Sequence, residues 1–166
     1  MIEQPHILPE CFADTLLVNM LIKSTANHKR SITQVFGALK KDFKNRKAIG
    51  VIDDDKSKDD YYKEFKIEKD TSNYRYLIHK SKPHYLLVLK KDFERLIFSC
   101  AEQTSVKHSY LKDLGTLKRI TKSANVHQNN EFKNLLNTLI QKKAPPLLEI
   151  QSILLEHLVL RYSKTI

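Results

Sequence analysis

The chain has 166 residues, 41% hydrophobic and 29% charged, with a mean hydropathy of −0.45. That length suits one domain, and that balance supplies apolar material for a core while excluding a disordered tail or a membrane protein. Its 29 Lys and Arg against 19 Asp and Glu leave a charge of +10, which draws polyanions, nucleic acid first among them, with an attraction that salt weakens.

The start, Met1-Ile2-Glu3-Gln4-Pro5-His6, lacks the basic-then-apolar order of a secretion signal, so a cytoplasmic setting is expected. No later run is long and apolar enough to span a bilayer, which predicts no membrane association. The apolar segment before Glu10, followed by Phe12, Leu16, Leu17, Met20 and Leu21 at helical spacing, predicts a strand, a tight turn and a helix. After Asn27-His28-Lys29-Arg30-Ser31, the stripe Ile32, Val35, Phe36, Leu39 and Phe43 predicts a helix over Ser31 to Lys44. Ala48-Ile49-Gly50-Val51-Ile52 is continuously apolar, as suits a strand covered on both faces of a parallel sheet, and it stops at Asp53-Asp54-Asp55.

Lys56 to Lys63 reads as a charged connector with a helical turn at Tyr61-Tyr62. Two extended stretches, Tyr74 to Lys80 and His84 to Leu89, are separated by Ser81-Lys82-Pro83, which suits a hairpin-like turn. Asp92 can cap a helix carrying Phe93, Leu96, Ile97 and Cys100. Cys11 and Cys100 are too few for a disulfide framework and lie in no CxxC, so they read as packed thiols and not as zinc ligands. From Tyr110 the patterns are helical only: Leu111 to Ile120, Phe132 to Ile140, and Leu147 to Leu160, the last two parted by Pro145-Pro146. The expectation is a single domain over 1–166: an α/β core at 5–103 and a helical C-terminal extension at 104–166.

In open parallel sheets ligands sit beyond the carboxyl ends of the strands, and there this chain places Glu10 and Asp53-Asp54-Asp55. An extended backbone points Asp53 and Asp55 to one side and Asp54 to the other, so two carboxylates can converge with Glu10. Three hard oxygen donors suit Mg²⁺, which would relieve the repulsion among them; Lys56 is a nearby counter-charge. The alternative is a solvated turn whose aspartates cap the following helix. A calcium loop through Asp53, Asp55, Ser57, Asp59 and Glu64 is set aside, because Lys58 stands where that loop needs Gly and a strand precedes it.

Ile7-Leu8-Pro9-Glu10-Cys11-Phe12-Ala13-Asp14-Thr15 resembles the opening motif of Toprim domains, a strand ending in Glu with an Asp four positions on. Gly50-Val51-Ile52-Asp53-Asp54-Asp55 resembles their second motif, an apolar strand ending in Asp-x-Asp. Tyr85 to Glu94 is similar to the strand and acidic turn of Toprim domains in overcoming-lysogenization-defect nucleases and their small relatives. The resemblance covers about residues 5–103, with Cys11 where the family usually has Gly.

It implies a Toprim-like, mostly parallel central sheet flanked by helices and nuclease-like phosphodiester chemistry on DNA or RNA. Glu10, Asp53 and Asp55 would surround Mg²⁺ or Mn²⁺, Glu10 as ligand or acid/base. Asp14 would be a further ligand or a helix-start charge. Lys56 would contact a phosphate, and His28 and Arg30, on the connection before the second helix, would lie at the acidic rim. The leucine-rich C-terminal helices and the altered first motif also allow a non-catalytic protein of this fold that binds a protein partner through those helices.

Overall fold

The computed structural model describes residues 6–54 and 59–159. Five strands, β1 (Ile7–Pro9), β2 (Ala48–Asp53), β3 (Phe65–Asp70), β4 (Tyr74–His79) and β5 (His84–Leu89), form one sheet in the order β1-β2-β5-β4-β3. The helices are α1 (Phe12–Ile22), α2 (Ile32–Lys40), α3 (Phe93–Thr104), α4 (Leu114–Thr121), α5 (Asn130–Gln141) and α6 (Pro145–Val159). The α/β class expected from the sequence is present, but the sheet is mixed and not mostly parallel. β1, β2 and β5 run parallel, whereas β4 pairs antiparallel with both β5 and β3. The cause is local: the β3–β4 and β4–β5 connections are too short for the crossover that parallel neighbours need.

β3 escaped the sequence reading because Phe65-Lys66-Ile67-Glu68-Lys69-Asp70 buries its first residue alone and exposes the other five. Strand alternation is recognisable only where one face is packed, and this edge strand carries charge and a register shift between Ile67 and Lys69. At the opposite edge the Asn27 and Lys29 N–H groups donate to the Ile7 and Pro9 carbonyls at 2.9 and 2.8 Å, so the segment before α2 covers β1.

Both faces of the sheet are buried at β2, as its continuous apolar run requires. Ile49, Val51, Leu87 and Leu89 face α1 and α3, while Ala48, Ile52, Leu86 and Val88 face α2, Tyr61 and Phe65. α2 presses on β2 at Gly50, where a β-carbon would stand 2.7 Å from Val35 Cγ1 and 3.0 Å from a Leu86 methyl. Gly50→Val is therefore expected to cost about 1–3 kcal/mol through overpacking, measured as a lower urea midpoint with an unchanged slope.

The C-terminal helices are part of this packing. Leu117, Phe132, Leu135, Leu136, Leu139, Leu147, Ile150 and Leu154 share one apolar cluster with α1, α3 and the sheet. Pro145 and Pro146 open α6, where a first-turn proline forfeits no helical hydrogen bond. α6 is tied down by polar contacts too: Gln151 Nε2 donates to the Leu21 carbonyl at 2.8 Å, His6 Nε2 to the His157 carbonyl at 2.7 Å, and the Tyr74 hydroxyl to Glu149 at 2.7 Å. Burial, then the charges of Lys47 and His6, push the His157 imidazole down to about 3. Among the described residues no helix is long and apolar enough to cross a membrane.

Candidate functional site

The three parallel strands end on one side of the sheet, with Glu10 just past β1, Asp53 ending β2, and Asp92 three residues past β5. Glu10 N–H continues the ladder to the Val51 carbonyl at 3.0 Å, and Glu10 Oε2 accepts from the Asp53 N–H at 3.2 Å. These two residues are thus brought together as the spacing predicts. Asp54 diverges as an extended backbone demands: its carboxylate meets Arg75 Nη1 at 3.3 Å.

Cys11 caps α1 from extended backbone, its Sγ accepting the Asp14 N–H at 3.4 Å. Burial, then the Asp14 charge, raise its thiol above the usual range, which disfavours the thiolate, and the half-buried side chain lines the cavity described below. The cap sets Asp14 in the first turn, where the residue is only 1% exposed. Both Asp14 carboxylate oxygens and Asp53 Oδ1 are buried with no hydrogen-bond partner. Burial raises the Asp14 carboxyl above its ordinary range, the adjacent Cys11 opposes that shift, and the charges of Glu10 and Glu94 add to it. Asp53 is raised likewise, by burial first and then by Asp14, Glu10, Glu94 and Asp92. Unpaired buried carboxylates are costly, and so many like charges cannot all stay ionised without a counter-charge.

Asp92 and Glu94, the acids of the turn in the resembled Tyr85–Glu94 stretch, belong to this cluster. Asp92 is a cap, accepting the Arg95 N–H at 3.0 Å, and its other oxygen pairs with Lys118 Nζ at 3.1 Å. Glu94 is buried and accepts a hydrogen bond from the Thr121 hydroxyl. The available signal was the acidic turn after β5, where Asp92 and Glu94 follow Lys90-Lys91. The α4 partners had no such signal, lying more than twenty residues further along the chain. A cavity of about 430 Å³ opens between these elements, lined by Phe12, Asp53, Glu94, Lys118, Thr121 and Lys122 among others.

His28, which does not line the cavity, stacks on Phe12, which does. The Thr15 hydroxyl donates to the Cys11 carbonyl at 2.6 Å and therefore accepts from His28 Nδ1 at 2.8 Å, leaving Nε2 buried and without a partner. Burial, together with Arg30 and Lys29, lowers the His28 pKa and favours the neutral ring. Arg30 is exposed beside it, with no side-chain ion pair among the described residues. Asp55 and Lys56, expected as ligand and phosphate contact, lie outside the described residues. Asp59 caps a 3-10 turn at Tyr61 N–H (2.8 Å) and pairs with Lys40 at 2.9 Å, a different role from a calcium ligand.

Among the described residues no three His, Cys, Asp or Glu side chains are grouped so as to hold a metal ion. Glu10, Asp14 and Asp53 are therefore a cluster of charge without a finished coordination cage. No family model, curated protein or solved structure matches the chain.

Proposed function

We propose that this is a Toprim-like protein that performs Mg²⁺- or Mn²⁺-dependent, nuclease-like chemistry on nucleic-acid phosphodiesters. The observation that carries this reading is Asp14, a buried carboxylate with both oxygens unpartnered, set beside the orphaned Asp53 oxygen and the Glu10 and Glu94 charges. All the donors are hard oxygens, the set that Mg²⁺ and Mn²⁺ prefer. Glu10, Asp14 and Asp53, joined by Asp55, would hold the cation. When bound, it would polarise the phosphodiester and offset charge on the leaving oxygen.

The chain's own groups do the rest. Glu10, anchored by the Asp53 N–H, would hold the cation or take the proton of the attacking group. Lys118 and Lys122 on the cavity wall would meet phosphate oxygens, and the net charge of +10 would gather the polyanion. The test is cleavage of labelled DNA and RNA with Mg²⁺ or Mn²⁺. Metal-dependent products that vanish with EDTA support the reading, and none from either polymer under either metal would overturn it.

A second reading has one observation in its favour. Leu148 and Leu155 are exposed and seven residues apart on α6, a stripe that a non-catalytic protein of this fold would present to a protein partner. A silent Mg²⁺ titration would favour it.

A further inference from the structure

Phe12 opens α1 two residues after Glu10, and it is 42% exposed although it lines the acidic cavity. Other rings lie against it. His28, from the segment covering β1, stacks on it with centroids 4.4 Å apart and planes at 19°. His127, in the 3-10 turn Val126–Gln128, lies 5.7 Å away at 31°. Three separate segments thus converge to build an aromatic surface at the mouth of a charged cavity. Lys122 lines the same cavity, and the charges of Arg30 and Lys29 reach His28; among the described residues none of the three has an ion pair. A phenylalanine serving only the core would be buried; this one is held at the surface, two residues from an acid.

We infer that Phe12, with His28 and His127, stacks an unpaired nucleobase while the adjoining phosphate enters the cavity, so that the substrate is single-stranded nucleic acid. This deepens the proposed function and rests on the cavity taking a phosphodiester. In a duplex the base faces already stack on their neighbours and cannot reach a protein ring, whereas an unpaired base of any identity offers one. The free cations match the backbone charge that accompanies each such base. Neutral His28 adds ring surface without adding charge.

The experiment is fluorescence anisotropy of the full chain with short labelled oligonucleotides, single-stranded and as duplexes of the same sequence, in EDTA and in Ca²⁺. DNA and RNA versions identify the sugar. The single strand is expected to bind about tenfold more tightly than the duplex, and F12A to weaken it by about 5- to 100-fold. Duplex binding should be unchanged by F12A, and F12W should retain the single-strand affinity because it keeps an aromatic face. Equal affinity for both forms, or an F12A indistinguishable from wild type, overturns the inference. A chain that binds single strands through Phe12 yet cleaves nothing supports the inference and removes the catalytic reading. A chain that cleaves both forms alike, with F12A without effect, does the reverse.

Discussion

Asp53→Asn is expected to lower metal-dependent cleavage by on the order of 100-fold or more while raising the melting temperature of the metal-free protein. The two signs follow from one fact. Asp53 Oδ1 is buried without a hydrogen bond among the charges of Asp14, Glu10 and Glu94, so its carboxylate opposes the fold unless a cation lies beside it. Asn keeps the shape, removes the charge and relieves the repulsion, and with it the reason for a cation to bind. Glu10→Gln should lose about 10²–10⁴-fold if Glu10 moves the proton. Its stability should change less, because Glu10 accepts the Asp53 N–H and Gln can accept it too. Cleavage assays paired with thermal melts measure both effects. Unchanged cleavage in both variants, or an Asp53→Asn protein that is less stable than wild type, would show that these carboxylates hold the fold and serve no reaction.

The largest loss of stability is expected from Phe132→Ala on α5, about 3–5 kcal/mol by urea unfolding. Phe132 is fully buried, its ring 6.3 Å from Phe93 at 60°, and it lies in the cluster that joins α5 to α1 and α3. Those helices carry Asp14 and Glu94, and α4 supplies Thr121 and Lys118 to the same acids. The C-terminal helices therefore complete the site's wall as well as the core, and cleavage should fall with stability. A cost below about 1 kcal/mol, the scale of an ordinary surface change, would make them an appendage.

Where a residue's role was dictated by its immediate neighbours in sequence, it could be read without the structure. The run before Asp53 is apolar because both faces of β2 are covered, and the helix over Phe93 to Cys100 shows its buried stripe because one face alone is packed. Glu10 and Asp53 meet because each ends one of two neighbouring strands, whereas Asp14 was indicated only by the family resemblance. What was hidden depended on distant partners. The direction of β4 is set by turn lengths on both sides, and β3 lacks alternation because only its first residue, Phe65, is packed. Glu94 became part of the acidic cluster through Thr121, and Phe12 became a platform only when His28 and His127 were folded against it.

The most direct test of the shared cation is thermal unfolding across acid to neutral pH, with and without millimolar Mg²⁺. The raised Asp14 and Asp53 carboxyls hold protons in the native state that the unfolded chain releases at the ordinary carboxylate pKa of about 4. Without metal, stability is therefore retained in acid and lost as pH climbs from that range through the raised native values. Mg²⁺ should replace those protons, so its stabilising shift should be absent in acid, grow towards neutral pH and disappear in Asp53→Asn. A melting temperature that ignores Mg²⁺ at every pH, or one that Mg²⁺ raises equally in Asp53→Asn, would contradict the metal centre.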